Sequence, residues 1–246
     1  MPSWSIEPSP LGRIVVAPEL AEGVGLFYTT IDYNGRLDET EAARIAALIE
    51  QRFGVNATLA TCTQVHGATV ERIRASGTWR ECDSCDALAT SERGVALGIK
   101  VADCLPVTIV EAGQEVLANI HSGWRGAARQ ITSRTIDVLE RDFPFRPREA
   151  AAYLGPSIRV CCFEVGEEVV AEFQSAFEAF DRFVDRTKAK AHIDLPALTH
   201  AILVERGFDP SCIFDSGLCT RCDGSIFHSF RRGGRGGGRN LAIVAQ

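Results

Sequence analysis

Residues 98 to 126 most constrain how this chain can fold. Leu97 to Val110 and Val116 to Ile120 are apolar, strand-like runs. The first carries Asp103 and Cys104 in its middle, and the second delivers His121 at its end. The turn Glu111 to Gln114, with Gly113, predicts a hairpin or an adjacent pairing. That pairing sets a thiol and an imidazole on rigid elements beside the tight turn His121-Ser122-Gly123-Trp124. Metal sites and Cys/His nucleophilic sites are both built this way.

Composition limits the partners. The chain has 246 residues, 46% hydrophobic and 24% charged, which suits a soluble globular protein with a sizeable core. We expect one domain spanning residues 1–246. The net charge of −6 gives no reason to expect nucleic acid. No apolar run reaches the roughly 18 residues of a membrane span. The start, MPSWSIEPSPLGR, lacks a basic stretch followed by an apolar one, so a cytoplasmic location is expected. In that reducing setting, nine cysteines point to buried, catalytic or metal-bound thiols rather than disulfides.

Along the chain, an irregular lead precedes strands at Arg13 to Ala17 and Gly23 to Thr30. Residues 39–53 have a helical stripe of Ala42, Ile45, Ala46, Leu48 and Ile49, stopped by Gly54. Strands are expected over Ala57 to Val65 and Thr69 to Arg74, then a polar loop from Gly77 to Ser84. After Gly126 one helix is expected over 127–143, ended by Pro144 and Pro147. Ala151 to Leu154 reads as a strand and residues 164–182 as a helix with an acidic first turn. Asp194 suits the N-cap of a helix over Leu195 to Arg206. Strands are expected at Ile213 to Asp215, Ile226 to Phe230 and Leu241 to Val244. Without a regular βαβ rhythm, the class is α+β or an irregular α/β.

Five histidines are present, at 66, 121, 192, 200 and 228. His66 and His121 each end a strand-like run beside a small residue, whereas His192 and His200 read as ordinary surface or core side chains. His66, Cys104 and His121 together would make a three-ligand zinc site with an open fourth position. The competing reading has His121 or His66 deprotonating Cys104 for nucleophilic attack. Spacings of 38 and 17 residues are not a local metal motif, so the two readings stay open on spacing alone.

Several motifs occur in one order: Gln64-Val65-His66-Gly67, Asp86-Ala87-Leu88, Ala102-Asp103-Cys104-Leu105-Pro106, and His121 to Gly126. Gly155-Pro156-Ser157-Ile158, Cys162 to Gly166, Cys219-Thr220 and Phe227 to Arg232 follow. Over roughly residues 64–240 the chain resembles the YfiH/laccase-domain family, once called multicopper polyphenol oxidases. The resemblance implies a sandwich of mixed β-sheets flanked by helices, related to a group of Cys/His hydrolases. It implies zinc on His66, Cys104 and His121. It further implies purine nucleoside phosphorylase activity with adenosine deaminase and methylthioadenosine phosphorylase activity, on purine nucleosides and phosphate, as a monomer or homodimer. A peptidoglycan-editing branch makes a Cys/His hydrolase or amidase the alternative, and a non-enzymatic metal-binding module is a third.

The chain departs from the family pattern at Phe27-Tyr28-Thr29-Thr30-Ile31, which lacks an arginine that members carry. If that arginine holds phosphate, phosphorolysis must rely on other cations. Arg125, Arg231 and Arg232 are candidates, since a guanidinium matches phosphate geometry. Gln64, with Arg125 and Arg231, is taken as substrate-binding. Deamination needs an activated water and a proton shuttle. Asp103 is adjacent in sequence, although strand alternation would aim it away from Cys104. Copper is the lesser alternative to zinc, because type 1 and trinuclear copper need about ten histidines. Cys82-x-x-Cys85 and Cys219-x-x-Cys222 would hold a second zinc if their loops met. The RRGGRGGGR tract fits a glycine-rich site loop better than an RNA-binding segment.

Overall fold

Four central strands are buried along their whole length, so each must be covered on both faces rather than on one. The computed structural model shows how; it describes residues 3–77, 79–111, 113 and 115–246. In chain order the elements run β1 (Ser5–Ser9), β2 (Gly12–Val16), β3 (Gly25–Thr29), α1 (Glu39–Phe53), β4 (Thr58–Cys62), β5 (Val70–Arg72), β6 (Arg80–Cys82) and β7 (Ala87–Thr90). Next come β8 (Val95–Val101), β9 (Leu105–Glu111), β10 (Val116–Ser122), α2 (Trp124–Ala128), α3 (Ile131–Asp142), β11 (Ala151–Leu154), β12 (Glu164–Val165) and α4 (Glu167–Ala176). The chain closes with β13 (Val184–Asp185), β14 (Ala191–Ile193), α5 (Leu195–Glu205), β15 (Ile213–Asp215), α6 (Phe230–Gly233) and β16 (Asn240–Ala245).

Two large mixed sheets form the body. One has the order β1-β2-β3-β16-β8-β4-β6, and the other β15-β11-β9-β10-β7-β5. A small third sheet, β12-β14-β13, lies outside them. Their facing sides share one apolar layer, with Tyr28, Leu97, Ile99 and Val244 from the first sheet against Leu88, Val110, Leu117 and Tyr153 from the second. Helix α1 covers the outer face of the first sheet through Ile45, Leu48 and Ile49. Helices α3, α4 and α5 cover the outer face of the second through Ile131, Leu139, Phe173 and Leu198. The expected sandwich of mixed sheets flanked by helices is what the structure has.

Local chemistry explains the elements that were legible. In α1 the Asp38 side chain accepts from the Glu41 N–H at 3.0 Å, and Gly54 closes the helix at φ 68°. The hairpin β9–β10 pairs from Val116 opposite Glu111 to Ser122 opposite Leu105. Of its connecting turn, Ala112 and Gln114 lie outside the described residues.

Other expectations need correction. Leu97 to Val110 is not one strand: β8 and β9 belong to different sheets, and the chain crosses between them at residues 102–104, with Asp103 at φ 80°. Pro106 sits near the start of β9, a strand inside its sheet. Residues 127–143 form the end of α2 and then α3, separated by Gln130 at φ 60°. Residues 164–182 hold β12 and the shorter α4. The expected strand at Ile226 to Phe230 is a turn leading into α6. The irregular lead contains β1, paired antiparallel with β2, and the polar loop contains β6, paired parallel with β4. These short edge strands have little apolar periodicity and are fixed by their neighbours' backbone groups.

Candidate metal and catalytic site

Asn119 and His121 lie two residues apart on β10 and face the same way, towards the first sheet. The Asn119 amide donates to the backbone oxygens of Leu97 and Ala242, each at 2.9 Å, and so ties the two sheets together. His121, one step further along, meets the end of the sandwich where the sheets open. There Cys104 precedes β9, and His66 stands in the loop between β4 and β5. Ligand atoms of His66, Cys104 and His121 all lie within 4.8 Å of one another. The two imidazole rings meet edge to face, with centroids 4.8 Å apart. Exposure is graded: His121 is buried, Cys104 half-buried and His66 exposed, so the cluster opens outward.

Asp86, immediately before β7, organises this cluster. Its Oδ1 lies 2.8 Å from His121 Nδ1. It also accepts the backbone N–H groups of Val65, His66 and Gly67 at 3.2, 2.9 and 2.7 Å. One carboxylate therefore orients one histidine and pins the turn that presents the other, whose φ of 57° is left-handed. Burial pushes the Asp86 carboxyl up, but the His121 ring and the amides outweigh it and hold it below its ordinary value. An ionised Asp86 places the His121 proton on Nδ1 and leaves Nε2 for Cys104 or a metal.

The thiol is tuned in the same way. Burial pushes Cys104 up, yet His121 and then His66 bring it down from 9.0 to about 6. Burial pushes His121 down, but Cys104 and Asp86 raise it from 6.5 to about 9. Both shifts favour the thiolate–imidazolium form of the pair.

Gly123 shows that the space over the cluster is kept clear. A Cβ there would sit 3.0 Å from His66 Cδ2, 3.1 Å from Cys104 Sγ and 3.5 Å from His121 Cε1. Two histidines, a thiolate, a carboxylate behind one histidine and an empty approach fit a three-coordinate zinc site with an open position. They do not fit a multicopper centre. The chain has five histidines, and among the described residues His192 Nδ1 lies 2.7 Å from Val160 O and His228 Nε2 lies 2.9 Å from Tyr33 O, away from the cluster.

The cluster forms part of the lining of a cavity of about 780 Å³. Trp124, Phe163 and Phe230 give it aromatic walls, and Lys100, Arg125, Arg231 and Arg239 give it cations. The Arg125 guanidinium lies 4.3 Å from the Trp124 ring centre. Arg231 donates to Glu164 O at 3.0 Å. Gln64 is on the lining, but its amide is committed: it donates to Lys100 O and accepts the Lys100 N–H, both at 2.8 Å. Arg232 is not on the lining and donates to the backbone oxygens of Thr220, Arg221 and Phe227, so it anchors chain rather than phosphate.

Asp103 does point away from the thiol. Its Oδ1 accepts from Thr220 Oγ1 at 2.6 Å, and its Oδ2 accepts from Ser229 Oγ at 3.0 Å and Arg231 N at 2.6 Å. It is a positioning residue that gathers three loops around the cavity. Sequence reasoning missed Asp86, Lys100 and Arg239. For Asp86 the available signal was a charged residue opening the apolar run Ala87 to Ala89 within a quoted motif.

Residues 32–246 match a family model described as multi-copper polyphenol oxidoreductase laccase. Adenosine deaminase RL5, from an unknown prokaryotic organism, is 39% identical over 164 residues, covering 66% of this chain and 62% of that protein. A purine nucleoside phosphorylase of Deinococcus radiodurans is 33% identical over 186 residues, covering 75% of this chain and 69% of that one. The crystal structure of YlmD from Geobacillus stearothermophilus matches the fold with a TM-score of 0.85 at 24% identity, covering 100% of this chain and 99% of that one. The Bacillus licheniformis hypothetical protein YfiH matches with 0.82 at 23%, covering 97% of each. The matched stretch is thus less than two thirds of the length of the RL5 enzyme.

Proposed function

We propose, from the premise that this chain belongs to the laccase-like YfiH family, that it is a zinc-dependent enzyme of purine nucleosides. Two reactions suit it. Phosphorolysis takes a nucleoside and phosphate to the free base and ribose 1-phosphate, with methylthioadenosine as a further substrate. Deamination takes adenosine and water to inosine and ammonia. The observation that carries the reading is the cluster His66, Cys104 and His121, braced by Asp86, on the wall of an aromatic and cationic cavity.

His66, Cys104 and His121 would hold the zinc, which when bound supplies a Lewis acid that lowers the pKa of water towards ~7. The chain's own residues do the rest. Trp124, Phe163 and Phe230 offer faces for a purine ring. Arg125, Arg231 and Arg239 offer cations for phosphate, replacing the arginine absent near residues 27–31. Asp86 keeps the His121 Nδ1 proton, so that ring stays oriented through turnover. A cavity of about 780 Å³ is within the range for small-molecule sites. No helix among the described residues is long and apolar enough to cross a membrane, and nine free thiols suit a reducing compartment, so we place the reaction in the cytoplasm.

Incubating metal-replete protein with adenosine, methylthioadenosine and phosphate, then separating products, tests the proposal. Inosine, adenine and ribose phosphate are expected. Their absence with folded, zinc-loaded protein overturns it.

A second reading has an observation of its own. The thiolate–imidazolium pair of Cys104 and His121, with Asp86 behind it, is the arrangement of a cysteine hydrolase. It predicts that zinc removal leaves or raises hydrolysis of a small amide and that native Cys104 is alkylated by iodoacetamide.

A further inference from the structure

A second sulfur cluster lies one residue away from the cavity wall. Cys161 and Cys162 occupy the turn before β12, and Cys219 and Cys222 the turn between β15 and α6. Cys161 Sγ lies 3.6 Å from Cys219 Sγ and 3.7 Å from Cys222 Sγ. Cys162 Sγ lies 3.4 Å from Cys222 Sγ, and all four sulfurs fall within 4.8 Å of one another. A metal–sulfur distance of about 2.3 Å gives tetrahedral sulfur–sulfur edges of about 3.8 Å. The observed separations match those edges and are far from the covalent value of about 2.05 Å. We propose that Cys161, Cys162, Cys219 and Cys222 form a second, structural zinc site of four thiolates.

Three features support the assignment. Cys219 and Cys222 have the two-residue spacing of a zinc knuckle. Binding zinc replaces four S–H bonds by four Zn–S bonds and releases four protons. The resulting double negative charge is met by Lys188, whose Nζ donates to Cys161 O at 3.0 Å, while the Arg159 guanidinium is held by Asp215 at 2.6 and 2.7 Å. Finally, Cys161 and Cys222 are exposed while Cys162 and Cys219 are buried, so the cluster has an entry side and a dry side.

The site would join two loops that build the cavity. The residue after Cys162 is Phe163, on the cavity wall. The residue after Cys219 is Thr220, whose hydroxyl donates to Asp103, the neighbour of Cys104. Clamping the two turns therefore fixes the wall and the support of the thiol together, without contact with substrate. The earlier expectation that Cys82-x-x-Cys85 would complete this site is incorrect. Those residues face Cys62 between the two sheets, whereas Cys219 and Cys222 find their partners in an adjacent pair.

The inference is independent of the nucleoside reading, and metal counting separates them. Full-length protein purified under reducing conditions with added zinc is analysed for bound metal and free thiols. Cys104→Ala is expected to keep one zinc per chain, and its cobalt-substituted form to show the intense near-ultraviolet absorption of thiolate coordination. Adding Cys161→Ser and Cys222→Ser, at two exposed positions, to Cys104→Ala is expected to remove that equivalent and the absorption. The triple variant should also melt earlier than Cys104→Ala in the presence of zinc and like it after chelation. The proposal is overturned if Cys104→Ala, folded by circular dichroism, binds no metal. It is equally overturned if the four thiols react freely in the zinc-loaded protein, form a disulfide, or bind iron and not zinc.

Discussion

Two sulfur-bearing clusters in this chain differ in donor set. His66, Cys104 and His121 offer three mixed donors, backed by a carboxylate and opening onto a cavity. Cys161, Cys162, Cys219 and Cys222 offer four sulfurs that close on themselves. Three ligands leave a coordination position for water or substrate, and four thiolates leave none. Donor number and type therefore suit the chemistry proposed for the first cluster and the cross-link proposed for the second. Asp103 bridges them: its backbone leads into Cys104, and its carboxylate holds Thr220, next to Cys219.

The sharpest way to break this contrast is Cys104→Ala. It removes the sole sulfur of the first cluster, and nucleoside turnover at saturating substrate should fall by more than the roughly 100-fold that loss of an outer-shell partner costs a metal site. A loss under tenfold would move the chemistry elsewhere. Asp86→Asn comes next. It keeps the shape but removes the charge that holds the His121 Nδ1 proton, so zinc affinity or kcat should drop roughly 10–100-fold. Equal zinc affinity and kcat in the variant would deny Asp86 its orienting role.

Gly123→Ala should cost less. Its new Cβ would crowd His66 and Cys104 Sγ at 3.0 and 3.1 Å, and overpacking of this kind costs about 1–3 kcal/mol. Zinc affinity at the first cluster should fall about tenfold or more, with the four-sulfur site unaffected. The smallest effect is one of pH. In zinc-free protein the Cys104 thiol titrates at about 6 instead of 9.0, so the reactive thiolate is present above about 6 and lost as pH falls through it. The iodoacetamide rate at Cys104, read by mass spectrometry, should therefore rise with a midpoint near 6. A midpoint near 9 would show that His121 does not stabilise the thiolate.

Much of the first cluster was legible in the chain. His66 and His121 end strand-like runs, and Cys104 interrupts an apolar one, so each bears a local sign of being placed rather than packed. Asp86 was not legible as a partner, because its role rests on three backbone amides and a ring nitrogen that only the fold assembles. The second cluster was half legible. Cys219-x-x-Cys222 looks like half a metal site, but the spacing says nothing about which distant pair completes it. Cys82-x-x-Cys85 has the same spacing, yet it sits between the two sheets beside Cys62.

By itself the sequence determined the apolar strands, the Gly54 stop of α1 and the Asp194 N-cap of α5, the hairpin that carries His121, and the residue types able to bind a metal. These depend on propensity, periodicity and short-range hydrogen bonds, all of which act within a few residues. Tertiary structure alone decided that β8 and β9 part into different sheets at Asp103, and that Arg232 and Gln64 serve the backbone. It alone decided that Cys161 and Cys162 meet Cys219 and Cys222. Each of these turns on which distant groups satisfy a buried donor, acceptor or sulfur, and that pairing is set by how two whole sheets pack, not by any local pattern.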